Sequence, residues 1–160
     1  MTSRSLSSAE WDLWHTWMEA QGVVVAQVDS ALQSEVGISK AEFSILRTLR
    51  EAPDSTLRVR DLGAALHWEK SRVSHLLGRM ENRALVERRE GGAPGRRTAV
   101  SLSRHGHEII EAALRVHEVT VRRLFIDPLS VEQADAIRAW SEQTITASRP
   151  AESRTKASER

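Results

Sequence analysis

The segment from Leu57 to Gly106 limits the possible folds of this chain more than any other. Its apolar period changes from helical to strand-like within a short distance. After Ser55 and Thr56, the residues Val59, Leu62, Ala65 and Leu66 form a helical stripe that predicts a helix over Leu57 to Leu66. The link His67-Trp68-Glu69 follows, with Glu69 where a carboxylate suits the positive end of the next helix. Val73, Leu76, Leu77 and Met80 then fall at i, i+3, i+4 and i+7 and define the buried face of that second helix. Beyond Asn82-Arg83-Ala84 the pattern becomes that of strands. Leu85 to Arg89 and Thr98 to Leu102 are the arms of a predicted β-hairpin. Glu90-Gly91-Gly92-Ala93-Pro94-Gly95-Arg96-Arg97 supplies its turn.

Two short helices with so brief a link form a helix-turn-helix pattern, and the basic hairpin behind them makes it a winged one. Opposite the apolar stripe the second helix carries Ser71, His75, Gly78 and Asn82, flanked by Arg72, Ser74 and Arg79. An ordinary solvated face would hold more Glu and Lys. Short hydrogen-bonding side chains fit against base edges in a groove, and Arg suits guanine and phosphate. Gly78 lowers helix propensity, which implies either a close backbone approach or tight packing. Arg96 and Arg97 lie at the hairpin tip or on its return strand, where a guanidinium can enter a narrow minor groove or pair with phosphates. A plain amphipathic helix and a solvated basic loop would account for the same residues separately. Their order along the chain favours a DNA reader. Charge agrees: residues 58–106 hold 11 Lys and Arg against 5 Asp and Glu, while the whole chain carries a net charge of only +1.

This arrangement resembles the MarR family of bacterial transcription regulators. The resemblance is carried by Leu62-Gly63-Ala64-Ala65-Leu66, by Ser71 to Glu81, by Leu85-Val86, by Arg96-Arg97 and by Val100 to Gly106, and extends over roughly Ser7 to Ala147. One position departs from the family pattern: Pro94 stands where an Asp usually orients the wing Arg. The resemblance implies a mainly α fold with a small β-hairpin wing. It implies a homodimer on a pseudo-palindromic site in double-stranded DNA, most simply a repressor relieved by a small aromatic or phenolic effector. It places the effector pocket between helices of the dimer region and the winged domain, where Trp14, His15, Trp17, Met18, Phe43 and Leu46 would line it. Packing in a dimer core is the other role open to the tryptophans.

The flanks complete the expected domain plan. Ser7 and Glu10 form a capping box opening a long helix to Leu32, and Ser39 with Glu42 opens another that ends near Ala52, before Pro53. A helix from Ser103 to Phe125 is broken by Asp127-Pro128, and Ser130 with Gln133 caps a last one to Ala147. Residues 1–36 and 104–147 are therefore expected to form a helical dimerisation region, 37–103 the winged helix-turn-helix, and 148–160 a disordered tail. Ile110, Leu114, Val121 and Leu124, with Val24, Val28 and Leu32, exceed what one small domain covers, which points to a partner copy.

Other classes find little footing. The chain has no cysteine, which removes disulfides, thiolate metal sites and cysteine redox switches. His105 and His107 are two apart and do not share a helix face, so no metal or other cofactor is expected. There is no nucleophile elbow, phosphate loop or metalloprotease spacing, so no enzyme is expected. No apolar run approaches the ~18 residues of a membrane span, and no hydrophobic signal stretch opens the chain, so a cytoplasmic protein is expected. The remaining alternative is a ligand-independent winged helix acting through protein–protein contacts.

Overall fold

A computed structural model gives the fold of residues 5–90 and 97–148, and the chain divides into two compact units between Val121 and Arg122. The first unit begins with α1 (Ser8–Val36), capped by Ser7 in the expected box with Glu10, and α2 (Lys40–Arg50), capped by Ser39 with Glu42. In both boxes the serine side chain accepts from the third backbone N–H while the glutamate accepts from the serine N–H. α1 runs past Leu32 to Gly37, which closes it in the left-handed region at φ 74°.

Next come a 3-10 turn at Pro53–Ser55, β1 (Thr56–Arg58), α3 (Val59–Leu66) and α4 (Lys70–Asn82). β2 (Val86–Glu90) and β3 (Arg97–Leu102) form the wing, and α5 (Arg104–Val121) ends the unit. The hairpin is one part of a three-stranded antiparallel sheet in the order β1-β3-β2. Leu57 pairs with Val100 and Val86 with Leu102. The sequence reading placed Leu57 and Arg58 in a helix. They are strand instead, because pairing with β3 satisfies their backbone groups.

One core joins these elements. It takes Val28 and Leu32 from α1, Phe43, Ile45, Leu46 and Leu49 from α2, Leu62 from α3, Val100 and Leu102 from β3, and Ile110 and Ala113 from α5. All four residues of the predicted α4 stripe are buried in it. Ala65 is exposed rather than in the α3 stripe, since with α3 starting at Val59 the residues that reach the core are Val59, Leu62 and Leu66. The surplus of apolar surface also lies elsewhere than expected. Val28, Leu32 and Ile110 are covered within one chain, whereas Trp11, Leu13, Trp14, Trp17 and Met18 of α1 and Val119 of α5 are exposed.

The second unit starts with a π-helical segment, Arg122–Ile126, where the sequence reading continued an α-helix to Phe125. Asp127 closes it by donating its N–H to the Arg122 carbonyl at 2.8 Å, and its carboxylate lies 3.3 Å from the Arg122 guanidinium. α6 (Val131–Ser148) follows, with Ser130 and Gln133 in the predicted reciprocal cap. Ser148, expected in the tail, is the last residue of α6, and the rest of the tail lies outside the described residues. No residue of α6 is buried, and Ile137, Trp140 and Ile145 are exposed along it.

Candidate nucleic-acid interface

Two helix ends of the same design close α3 and α4. At the end of α3, His67 takes the left-handed conformation at φ 53°; its N–H bonds the Ala64 carbonyl, and Trp68 N–H bonds the Gly63 carbonyl at 2.9 Å. At the end of α4, Ala84 does the same at φ 54°, with its N–H on Glu81 and Leu85 N–H on Met80 at 2.9 Å. Both are Schellman closures, which reverse the chain abruptly while satisfying the last carbonyls. Glycine usually occupies the left-handed position, so here it was the change of apolar spacing, and not a glycine, that marked both stops in the sequence.

The first closure starts α4 at once. Glu69 sits at its N-cap with extended backbone, but its side chain makes no capping bond. Ser71, Arg72, His75 and Arg79 are exposed on the face opposite the buried stripe, and Ser74 and Gly78 are half-buried. A Cβ on Gly78 would meet nothing within 4 Å, so packing inside the chain does not require glycine there. The central carbon of the Arg72 guanidinium lies over the Trp68 ring, 4.2 Å from its centroid.

Arg88, which the sequence reading left unassigned, reaches back from β2 to α4. Its Nη2 donates to the Ser74 carbonyl at 3.3 Å, and its Nε is 3.3 Å from a Glu81 carboxylate oxygen in an ion pair lacking hydrogen-bond geometry. The flank of α4 with Ser74 and Glu81 is thus tied to the wing, while Ser71, Arg72, His75 and Arg79 face away. Arg83 is also occupied. It donates to the buried Glu42 carboxylate and to the Gly37 carbonyl, both at 2.7 Å, tying the end of α4 to the start of α2. Burial works against the charge of Glu42, but hydrogen bonds from Ser39 and the Arg83 guanidinium outweigh it and hold its pKa below the ordinary value. Two of the cations counted in the basic stretch therefore serve the fold.

The base of the wing is fixed to α5 through Ser103. Its N–H donates to the Leu85 carbonyl at 3.2 Å, its hydroxyl donates to the Ala84 carbonyl at 2.5 Å, and it accepts from Gly106 N–H at 2.8 Å. A Cβ on Gly106 would overlap the Leu85 carbonyl, so this glycine is required by contact. Arg97 opens β3, but its side chain, like Arg96 and Pro94 at the tip, lies outside the described residues.

The six candidate pocket residues fall into two groups. Phe43 and Leu46 are buried in α2, and the Phe43 ring stacks on His117 of α5 with centroids 4.9 Å apart. Burial, and then the nearby Arg47 charge, push the His117 pKa down. Trp14, His15, Trp17 and Met18 are exposed on α1, where Trp14 and Trp17 lie 5.3 Å apart and His15 stacks on Trp11 at 5.4 Å. Met18 is about 15 Å along the helix from Val28, where α1 enters the core. Among the described residues no cluster of His, Cys, Asp and Glu is suited to a metal ion, and no helix is long and apolar enough to cross a membrane.

The chain is similar to known proteins of the MarR family. A MarR family model matches residues 36–97. The transcriptional regulator HosA of Escherichia coli O157:H7 is 31% identical over 98 residues, which span 61% of this chain and 70% of that protein. Among solved structures, AbsC, a MarR family transcriptional regulator from Streptomyces coelicolor, superposes with a TM-score of 0.81 at 30% identity, covering 91% of this chain and 97% of that one. Sco3205, a MarR family regulator from the same organism solved in complex with DNA, gives a TM-score of 0.84 at 26% identity, covering 93% of each chain.

Proposed function

The chain belongs to the MarR family of transcriptional regulators, and we propose that it acts as a homodimer that binds a pseudo-palindromic site in double-stranded DNA through α4. The observation that carries this reading is the division of α4. One face is fully buried, and the other presents Ser71, Arg72, His75 and Arg79 with a glycine among them. The likeness to Sco3205, solved with DNA, supports it. Arg72, Ser74 and His75 approach base edges in this reading, with Ser74 limited by its place on the flank tied to β2, and Arg79 holds phosphate. The sequence assigns Arg96 to the minor groove and Arg97 to phosphate.

Residues 1–36 and 104–147 form the dimerisation region in this proposal, and 37–103 the DNA-binding domain. The exposed tryptophans of α1 and the apolar residues of α6 support a second copy as their cover. The regulatory sense is repression, relieved when a small aromatic or phenolic ligand changes the spacing of the two reading helices. The stack of Phe43 on His117 supports an aromatic site beside α2 and α5. Only a ligand that binds one spacing more tightly can shift the balance.

Binding to a selected DNA duplex across a salt series tests the core of the proposal. Affinity should fall steeply with salt. Arg72→Ala should cost about 1–3 kcal/mol and blur preference at one base pair per half-site. Salt-insensitive binding would count for a winged helix that binds protein instead, and an Arg72→Ala protein with unchanged preference would remove Arg72 from base reading.

A further inference from the structure

We infer that Trp68 is a positioning residue for base reading: its ring is the platform that orients the Arg72 guanidinium toward the major groove. The inference rests on the proposed DNA-reading role of α4. The Trp68 backbone is anchored to the end of α3. Its N–H bonds the Gly63 carbonyl at 2.9 Å, and its own carbonyl stands 3.3 Å from where a Cβ on Gly63 would lie. Its side chain is half-buried against the core, which leaves part of the ring for Arg72. Arg72 itself is exposed and three residues past the N-cap of α4. That is the end of a reading helix that meets base edges.

Stacking does two things for such an arginine. It holds a long side chain that would otherwise lose rotamer freedom on binding. A ring contact made through the face of the guanidinium also leaves the N–H groups in its plane available for a bidentate contact to guanine. A lysine could not use this arrangement, because its donors are not coplanar. The link between α3 and α4 therefore contributes to specificity without touching a base.

The test compares Trp68→Leu, which keeps apolar packing without an aromatic face, with Trp68→Phe, Arg72→Ala and Trp68→Leu/Arg72→Ala. Each is measured on the selected duplex and on duplexes changed at the base pair where Arg72→Ala loses preference, with thermal unfolding run alongside. Trp68→Leu should lower discrimination at that base pair by about three- to tenfold, as expected for a lost cation–π contact at a partly desolvated site. Its preference elsewhere and its salt slope should stay those of the parent. Trp68→Phe should restore most of the discrimination, and the double variant should lose no more than Arg72→Ala alone. Unchanged discrimination in Trp68→Leu, or additive losses in the double variant, would overturn the inference. So would an Arg72→Ala protein that keeps the parent's preference. A parent that binds every duplex alike would instead refute the DNA-reading role on which the inference rests.

Discussion

Among the described glycines, Gly106 stands in the tightest contact. Its missing Cβ lets α5 lie against the Leu85 carbonyl, and Ser103 bonds both sides of that junction. Gly106→Ala should therefore cost at least about 2 kcal/mol through forced displacement of buried backbone. Urea unfolding gives the value, and an unchanged midpoint would mean that the approach is not close. Glu42 makes a prediction in pH. Its folded pKa lies below the ordinary value of 4.5, so the unfolded chain takes up the proton first. The stability it contributes is complete above about pH 4.5 and is lost as pH falls through the lower folded value. Glu42→Gln should be less stable at neutral pH and show a shallower loss between about pH 5 and 3. Parallel losses in the two proteins would contradict that assignment. The capping role of Glu42 was legible in the sequence, since Ser39 and Glu42 are local. Its partner Arg83 is far along the chain, and nothing in the residue pattern could pair them.

At the scale of elements, periodicity made the helices legible and tertiary pairing hid the rest. The α4 stripe, the tight link and the two wing strands follow from spacing alone. β1 does not, because Thr56-Leu57-Arg58 has no strand signature of its own and exists through pairing with β3. The π-helical end at Arg122–Ile126 had no local marker either. For the candidate site, the exposed face of α4 was readable, while the Arg88 brace and the Trp68–Arg72 stack depend on how the chain folds back. The brace predicts that Arg88→Met keeps the fold but loosens the wing against α4. Hydrogen exchange should then speed up at the β2 amides while α4 stays protected. Equal protection of β2 in both proteins would show that Arg88 carries no such load.

At the scale of the whole molecule, two surfaces call for a partner. Trp11, Leu13, Trp14, Trp17 and Met18 leave an apolar face on α1, and α6 has no buried residue in its own unit. An isolated helix of 18 residues has little stability in water unless one face is packed. The account therefore predicts a dimer at micromolar concentration in sedimentation equilibrium, and Trp14→Glu/Trp17→Glu should weaken it. A monomeric parent with intact helix content would contradict the dimer and leave those faces for another protein.

The central claim is that two copies of α4 read one DNA site. Selection of bound duplexes from a random pool tests it most directly. The account predicts an enriched inverted repeat whose half-site centres lie about 10–10.5 bp apart, one DNA turn on one face of the duplex. A pool that stays random after repeated rounds, or that converges on a single unpaired half-site, would contradict it.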